Sequence, residues 1–200
     1  MDEIIKNLLK FNSRSYSLKE TSKDNNSKQV LSEIETSVIN FDKVKENYIK
    51  SLNLSNQDIA ACSVDAIAIL EDKLIFIEFK NGGVKSKELR FKIKDSLLIF
   101  CDISKTHVEF TRKSVDLYVV YNKDKLYEGK KCSKTTIDIS ESRDELRTSI
   151  TKAAGEKDIL FDLGRFKGLY FRDVHTYTKE EFEKIAKNIT PISAISDNVR

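Results

Sequence analysis

The sequence is poor in the residues that punctuate and cross-link chains. It has no tryptophan, one proline and six glycines in 200 residues, which excludes collagenous and proline-rich linker architectures. Its three cysteines, Cys62, Cys101 and Cys132, are odd in number and form no CxxC pair, and only two histidines, His107 and His175, accompany them. A disulfide framework and a structural zinc site are both poor readings, and a reducing cytoplasm is the expected setting. Apolar runs such as Ala66–Leu70 and Leu97–Cys101 stop at five residues, far below the roughly 20 that cross a bilayer. No membrane partner is expected. The opening residues, MDEIIKNLLKF, carry acids at positions 2 and 3 and lack the apolar stretch of a secretory signal. A dominant charge is lacking too, since 35 Lys+Arg against 32 Asp+Glu leave a net +3. That excludes a polyanion-binding surface spread over the whole molecule, though not a local basic face. Common catalytic templates are also missing: there is no GxGxxG, GxxxxGK[ST], GxSxG or HExxH. Cys62 and Cys101 therefore read as buried thiols rather than nucleophiles.

What is present suits one domain with a real core: 200 residues, 40% apolar and 34% charged. Residues 1–28 read as a short amphipathic helix, with Ile4, Ile5, Leu8, Leu9 and Phe11 on one side, followed by a polar arm. Residues 29–200 read as a single α/β domain, a mixed sheet flanked by helices, with a strand–helix extension at its end. Between Val30 and Leu54 apolar residues recur at helical spacing, and Asp42 is the expected N-cap of a helix over 43–53. A short strand through Ser37–Phe41 competes with that reading. Segments 64–70 and 74–80 flank Glu71-Asp72-Lys73 and predict an antiparallel hairpin, nearly continuous in apolar residues and so central in the sheet. Ser86 is expected to cap a helix to about Asp102, with Leu89, Ile93, Leu97 and Phe100 inward. Val115–Tyr121 predicts another buried strand. Ser142 with Glu145, and Thr178 with Glu181, have capping-box spacing ahead of helices over 143–154, ended by Gly155, and through about Ile189. Residues 159–175 predict one or two strands.

The chemistry concentrates at Glu78-Phe79-Lys80. Strand alternation turns Glu78 and Lys80 to one face, at the end of a segment too apolar to carry charges without compensation. Asp65 stands thirteen residues upstream, at the start of the preceding strand, where the hairpin would lay it beside Glu78. Two carboxylates that close repel unless a cation neutralises them, and oxygen donors suit Mg²⁺. The arrangement resembles the PD-(D/E)xK nuclease superfamily, with its restriction-endonuclease-like fold, over roughly residues 40–122. Asp65, Glu78 and Lys80 match its Asp and Glu-x-Lys positions, the helix over 86–102 follows as in the family, and Val64 stands where the family usually has proline. The resemblance implies a phosphodiesterase that holds Mg²⁺ or Mn²⁺ through Asp65, Glu78 and the main-chain carbonyl of Phe79, with Lys80 orienting the attacking water. It also implies a further acid from the preceding helix, for which Glu46 is the first candidate and Glu35 the second. Glu-x-Lys recurs at Glu71/Lys73 and Glu128/Lys130, in predicted turns, where each is a solvated pair.

Lys87, Arg90 and Lys94 fall at i, i+3 and i+7 on the following helix, with Lys85 just ahead, giving a basic stripe that could meet phosphates. Arg165, Lys167 and Arg172 interleave with Phe166, Tyr170 and Phe171, an order that suits a core strand better than a base-stacking platform. DNA is the expected substrate and RNA the second choice, and a protein partner or a homodimer is left open. The competing class is a nuclease-like scaffold kept as a binding module, in a defence, immunity or phage setting. It differs in needing no metal at Asp65 and Glu78.

Overall fold

The densest apolar stretch of the sequence sits at the centre of the structure, a computed structural model that describes residues 1–12, 14–24, 27–54, 61–125 and 159–192. Along the chain the elements are α1 (Asp2–Leu9), β1 (Tyr16–Ser17), α2 (Leu18–Thr21), β2 (Ser37–Asn40), α3 (Phe41–Ser51), β3 (Ala66–Leu70) and β4 (Lys73–Lys80). They continue with α4 (Ser86–Ser104), α5 (Val108–Ser114), β5 (Val115–Tyr121), β6 (Asp173–Thr178), α6 (Lys179–Ala186) and β7 (Ile189–Thr190). The strands form one mixed sheet in the order β1-β2-β3-β4-β5-β6, with β7 also on β3. The β1 to β4 side is antiparallel, whereas β4, β5 and β6 run parallel. Burial on both faces explains why β3, β4 and β5 are almost unbroken apolar runs.

Each face has its own core. Ile67, Leu74, Phe76, Leu117 and Val119 pack under Ile5 and Leu8 of α1, Val44 of α3 and Leu89, Ile93, Leu97 and Phe100 of α4. Ala66, Ile75, Ile77, Phe79, Tyr118 and Val120 pack on the opposite side under Leu18, Leu31 and Phe182. The expected hairpin is present. Leu70 pairs with Lys73, and Glu71 and Asp72 between them both have left-handed φ, 49° and 61°, the two-residue turn whose twist matches the strands.

Other expectations need correction. The helical spacing from Val30 to Leu54 spans a strand and a helix: Ser37–Asn40 is β2, the competing reading. Asn40, not Asp42, caps α3, accepting from the Lys43 N–H at 3.0 Å. Within the polar arm, β1 pairs with β2 and a Ser17–Glu20 capping box starts α2, whose Leu18 is fully buried. Lys85 rather than Ser86 precedes the first turn of α4, without a side-chain cap. Residues 163–166 form a 3₁₀ turn instead of a strand. The Thr178–Glu181 capping box is formed, but α6 ends at Ala186 and Ile189 joins β7. The segment with Ser142, Glu145 and Gly155, the Glu128/Lys130 pair and Cys132 lie outside the described residues. Among the described residues no helix is long and apolar enough to cross a membrane.

Candidate metal centre

Ala66 pairs with Ile77, so extending the register by one residue lays Asp65 opposite Glu78, as the sequence predicts. Both side chains emerge on the face that α4 covers. Glu78 is completely buried, and the Asp65 side chain is 17% exposed. The Phe79 N–H donates to Asp65 Oδ2 at 2.6 Å. Because a residue's N–H and C=O leave the same edge of a strand, the Phe79 carbonyl is turned toward Asp65 as well. Lys80 Nζ stands 2.8 Å from Glu78 Oε1 on the solvent side.

A fourth residue completes the corner. Lys92, from α4, places its ammonium 2.9 Å from Asp65 Oδ1 and 2.8 Å from Glu78 Oε2. Among the described residues the Glu78 oxygens have no hydrogen bond of good geometry; ion pairs alone hold them. Burial, followed by the Glu78 charge, pushes the Asp65 carboxyl up to about 7. Burial by itself would lower the Lys92 ammonium, but Glu78 and Asp65 overrule it and hold it above the ordinary lysine value. Ser96 fixes the surroundings, donating to the Lys92 carbonyl at 2.7 Å and accepting from the Val64 N–H at 2.7 Å.

Of the acids on the preceding helix, Asp42, in the first turn of α3, lies nearest in effect to the corner. Its charge is felt at both Asp65 and Lys92, and its Oδ1 accepts from the Ser63 hydroxyl. Glu46 pairs with Lys43 at 2.8 Å, and Glu35 with Lys19 at 3.4 Å. The basic stripe faces away from this corner. At about 100° per residue, Lys87, Arg90 and Lys94 point about 140–160° away from Lys92 around α4. Lys87 approaches the Phe91 ring, Lys94 the Tyr170 ring, and Arg90 binds Asp162 at 3.1 Å, while Lys85 pairs with Glu88 at 2.8 Å. The 165–172 segment is structural: Phe166 and Phe171 are core, Lys167 pairs with Asp173, and Arg172 with Asp116. Cys62 is exposed and Cys101 half-buried, so neither is the buried thiol expected.

Beyond the strand, Asn81 Nδ2 lies 2.8–3.2 Å from oxygens of Asp24, Ser27 and Gln29, and Asn81 Oδ1 accepts from Asn122. The end of β4 is thus tied to Asp24, Ser27 and Gln29 and to the end of β5.

The donors available to a metal are hard oxygens: two carboxylates and one carbonyl. Among the described residues no three His, Cys, Asp or Glu side chains converge. The donor chemistry would suit a divalent cation such as Mg²⁺, and among the described residues the Glu78 oxygens accept no hydrogen bond, although two ammoniums already balance the two carboxylates. Sequence reasoning missed Lys92 and Asp42. Lys92 had a readable signal: it sits between Leu89 and Ile93, inside the apolar arc of an amphipathic helix, where a charge needs a buried partner. Comparisons of the chain with family models, with curated proteins and with solved structures found no match.

Proposed function

We propose that the Asp65–Glu78–Lys80 corner is the centre of a metal-dependent phosphodiesterase acting on DNA, with RNA the second choice. One observation carries the reading. Two carboxylates from neighbouring strands converge on a single cation, the Lys92 ammonium, within 2.9 Å of each. Asp65, Glu78 and the Phe79 carbonyl would hold Mg²⁺ or Mn²⁺, which when bound polarises a phosphoryl oxygen and acidifies water. The chain's own residues do the rest. The Phe79 N–H fixes Asp65 Oδ2, and Oδ1, which accepts from Lys92 Nζ at 2.9 Å, faces the cation position. Lys80, half-buried at the solvent edge of the corner, donates from Nζ to orient the attacking water and to offset charge growing on the phosphate.

A binding module built on the same scaffold is the second reading, favoured by one observation: Lys80 and Lys92 already balance the two carboxylates. Nicking of supercoiled plasmid and of branched DNA, with Mg²⁺ and with Mn²⁺, tests the catalytic reading. Asp65→Ala and Glu78→Ala should each abolish metal-dependent cleavage in folded protein. Equal activity in wild type and both variants would place cleavage elsewhere, and no cleavage by wild type would favour the binding module.

A further inference from the structure

A divalent ion between Asp65 and Glu78 would sit about 2.0–2.1 Å from their oxygens. The Lys92 ammonium, at 2.9 and 2.8 Å from the same oxygens, fills that space. The two cannot coexist, for steric and for electrostatic reasons. With Lys80 also present, the corner holds two carboxylates and two ammoniums, so an added divalent ion would leave an excess of two positive charges in a largely buried site. We infer that Lys92 is the resident cation of this corner, and that a divalent metal binds only in exchange for its ammonium. The inference rests on the metal reading above and assigns its regulation.

Three features suit Lys92 to exchange. Its charge is a compact ammonium on a flexible four-carbon stem, free of the fork geometry that fixes arginine to a carboxylate. Its side chain is 20% exposed, so the stem has a route to solvent without unfolding α4. Its backbone stays anchored, because Ser96 holds the Lys92 carbonyl and ties it to Val64 beside Asp65. Among the described residues the groups shown to act on the ammonium are acidic: Asp65 and Glu78 by contact, and Asp42 through its charge. Without metal, Lys92 keeps the carboxylates from repelling one another. With metal, its departure frees both inward oxygens at once. Affinity for the ion is accordingly lowered by the work of expelling the lysine.

Calorimetric titration with Mn²⁺ alone, on the full chain without nucleic acid, tests the exchange. Lys92→Met keeps the stem and removes the charge, and should bind Mn²⁺ at least about tenfold more tightly than wild type, the scale of one adjacent charge at intermediate dielectric. Lys113→Met, which removes an exposed charge on α5, should bind as wild type does. Equal affinity in wild type and Lys92→Met would overturn the exchange and leave the metal reading standing. No binding by either would overturn both. Should Lys92→Met fold poorly, the side-chain ammonium ¹H–¹⁵N signal of Lys92 in wild type gives the answer. It should be protected in metal-free protein and lost on saturation with Mg²⁺; persistence in the loaded protein would overturn the exchange.

Discussion

The two faces of the sheet each carry a buried acidic site, and the two are built differently. On one face Asp116 of β5, 3% exposed, meets the guanidinium fork of Arg172, with Nε 2.8 Å from Oδ1 and Nη2 on Oδ2. The hydrogen bond to Asp116 holds that guanidinium above its ordinary value. One acid meets one base in a planar, two-point contact, which leaves nothing for a ligand to satisfy. On the other face, two carboxylates share the point charge of Lys92, and the Glu78 oxygens find no well-aligned donor among the described residues. The first arrangement is complete within the fold. The second is balanced by a point charge on a flexible stem, the one that the proposed exchange would replace. Burial and acidity alone do not mark a site; the difference lies in whether the compensating charge is locked by geometry.

The largest effect should come from breaking the locked pair. Arg172→Met strands Asp116 without its counter-charge and should cost roughly 3 kcal/mol, read as a fall in melting temperature that Mn²⁺ does not reverse. Lys92→Met should also melt lower without metal, but Mn²⁺ should restore it. If Mn²⁺ rescues both variants alike, or neither, the two faces are not different in kind.

Next in size is a loss of function without loss of fold. Lys80→Ala leaves Lys92 on Glu78, so melting temperature should change little and Mn²⁺ affinity should stay equal or rise. Turnover should nevertheless drop by about a hundredfold or more, since positioning and charge stabilisation are what the chain supplies. A large melting shift that metal does not restore would reduce Lys80 to a counter-ion.

The smallest effect belongs to the stripe. Reversing Lys87, Arg90 and Lys94 to Glu should leave the salt dependence of DNA binding at the carboxylate corner unchanged, because the stripe points away from Lys92. A log–log slope flattened by roughly 0.9 per residue would instead put these side chains on phosphates. Phe91 and Leu98, 54% and 66% exposed on the same helix, make that face unlike the corner in chemistry as well as in direction.

Much of this was legible in the sequence because it is local or follows from period two. The hairpin fixes Asp65 opposite Glu78 once the turn is placed, and alternation puts Lys80 beside Glu78. Thr178 and Glu181 specify their own cap. The strand Ser37–Asn40 was ambiguous for a physical reason. Val38 and Phe41 keep helical spacing across a strand–helix junction, and four residues are too few for alternation to show; pairing with β3 decides the matter. Lys92 was invisible as a partner because 27 residues separate it from Asp65, and only the packing of α4 on the sheet joins them. The direction of the basic stripe was hidden likewise. Periodicity defines a stripe, but which flank of the helix meets the carboxylates is a tertiary fact.

The side chain of Asn81 has a mechanical consequence. A free strand end frays, and a side chain mounted on it inherits that looseness. Here the residue after Lys80 is moored to Asp24, Ser27, Gln29 and Asn122, so a polar segment near the N-terminus acts as a truss for the far end of β4. Stiffness at Lys80 is therefore drawn from chain more than fifty residues away, and the two lysines of the corner divide their labour as stator and moving part: Lys80 on a braced strand end, Lys92 on a stem with room to leave.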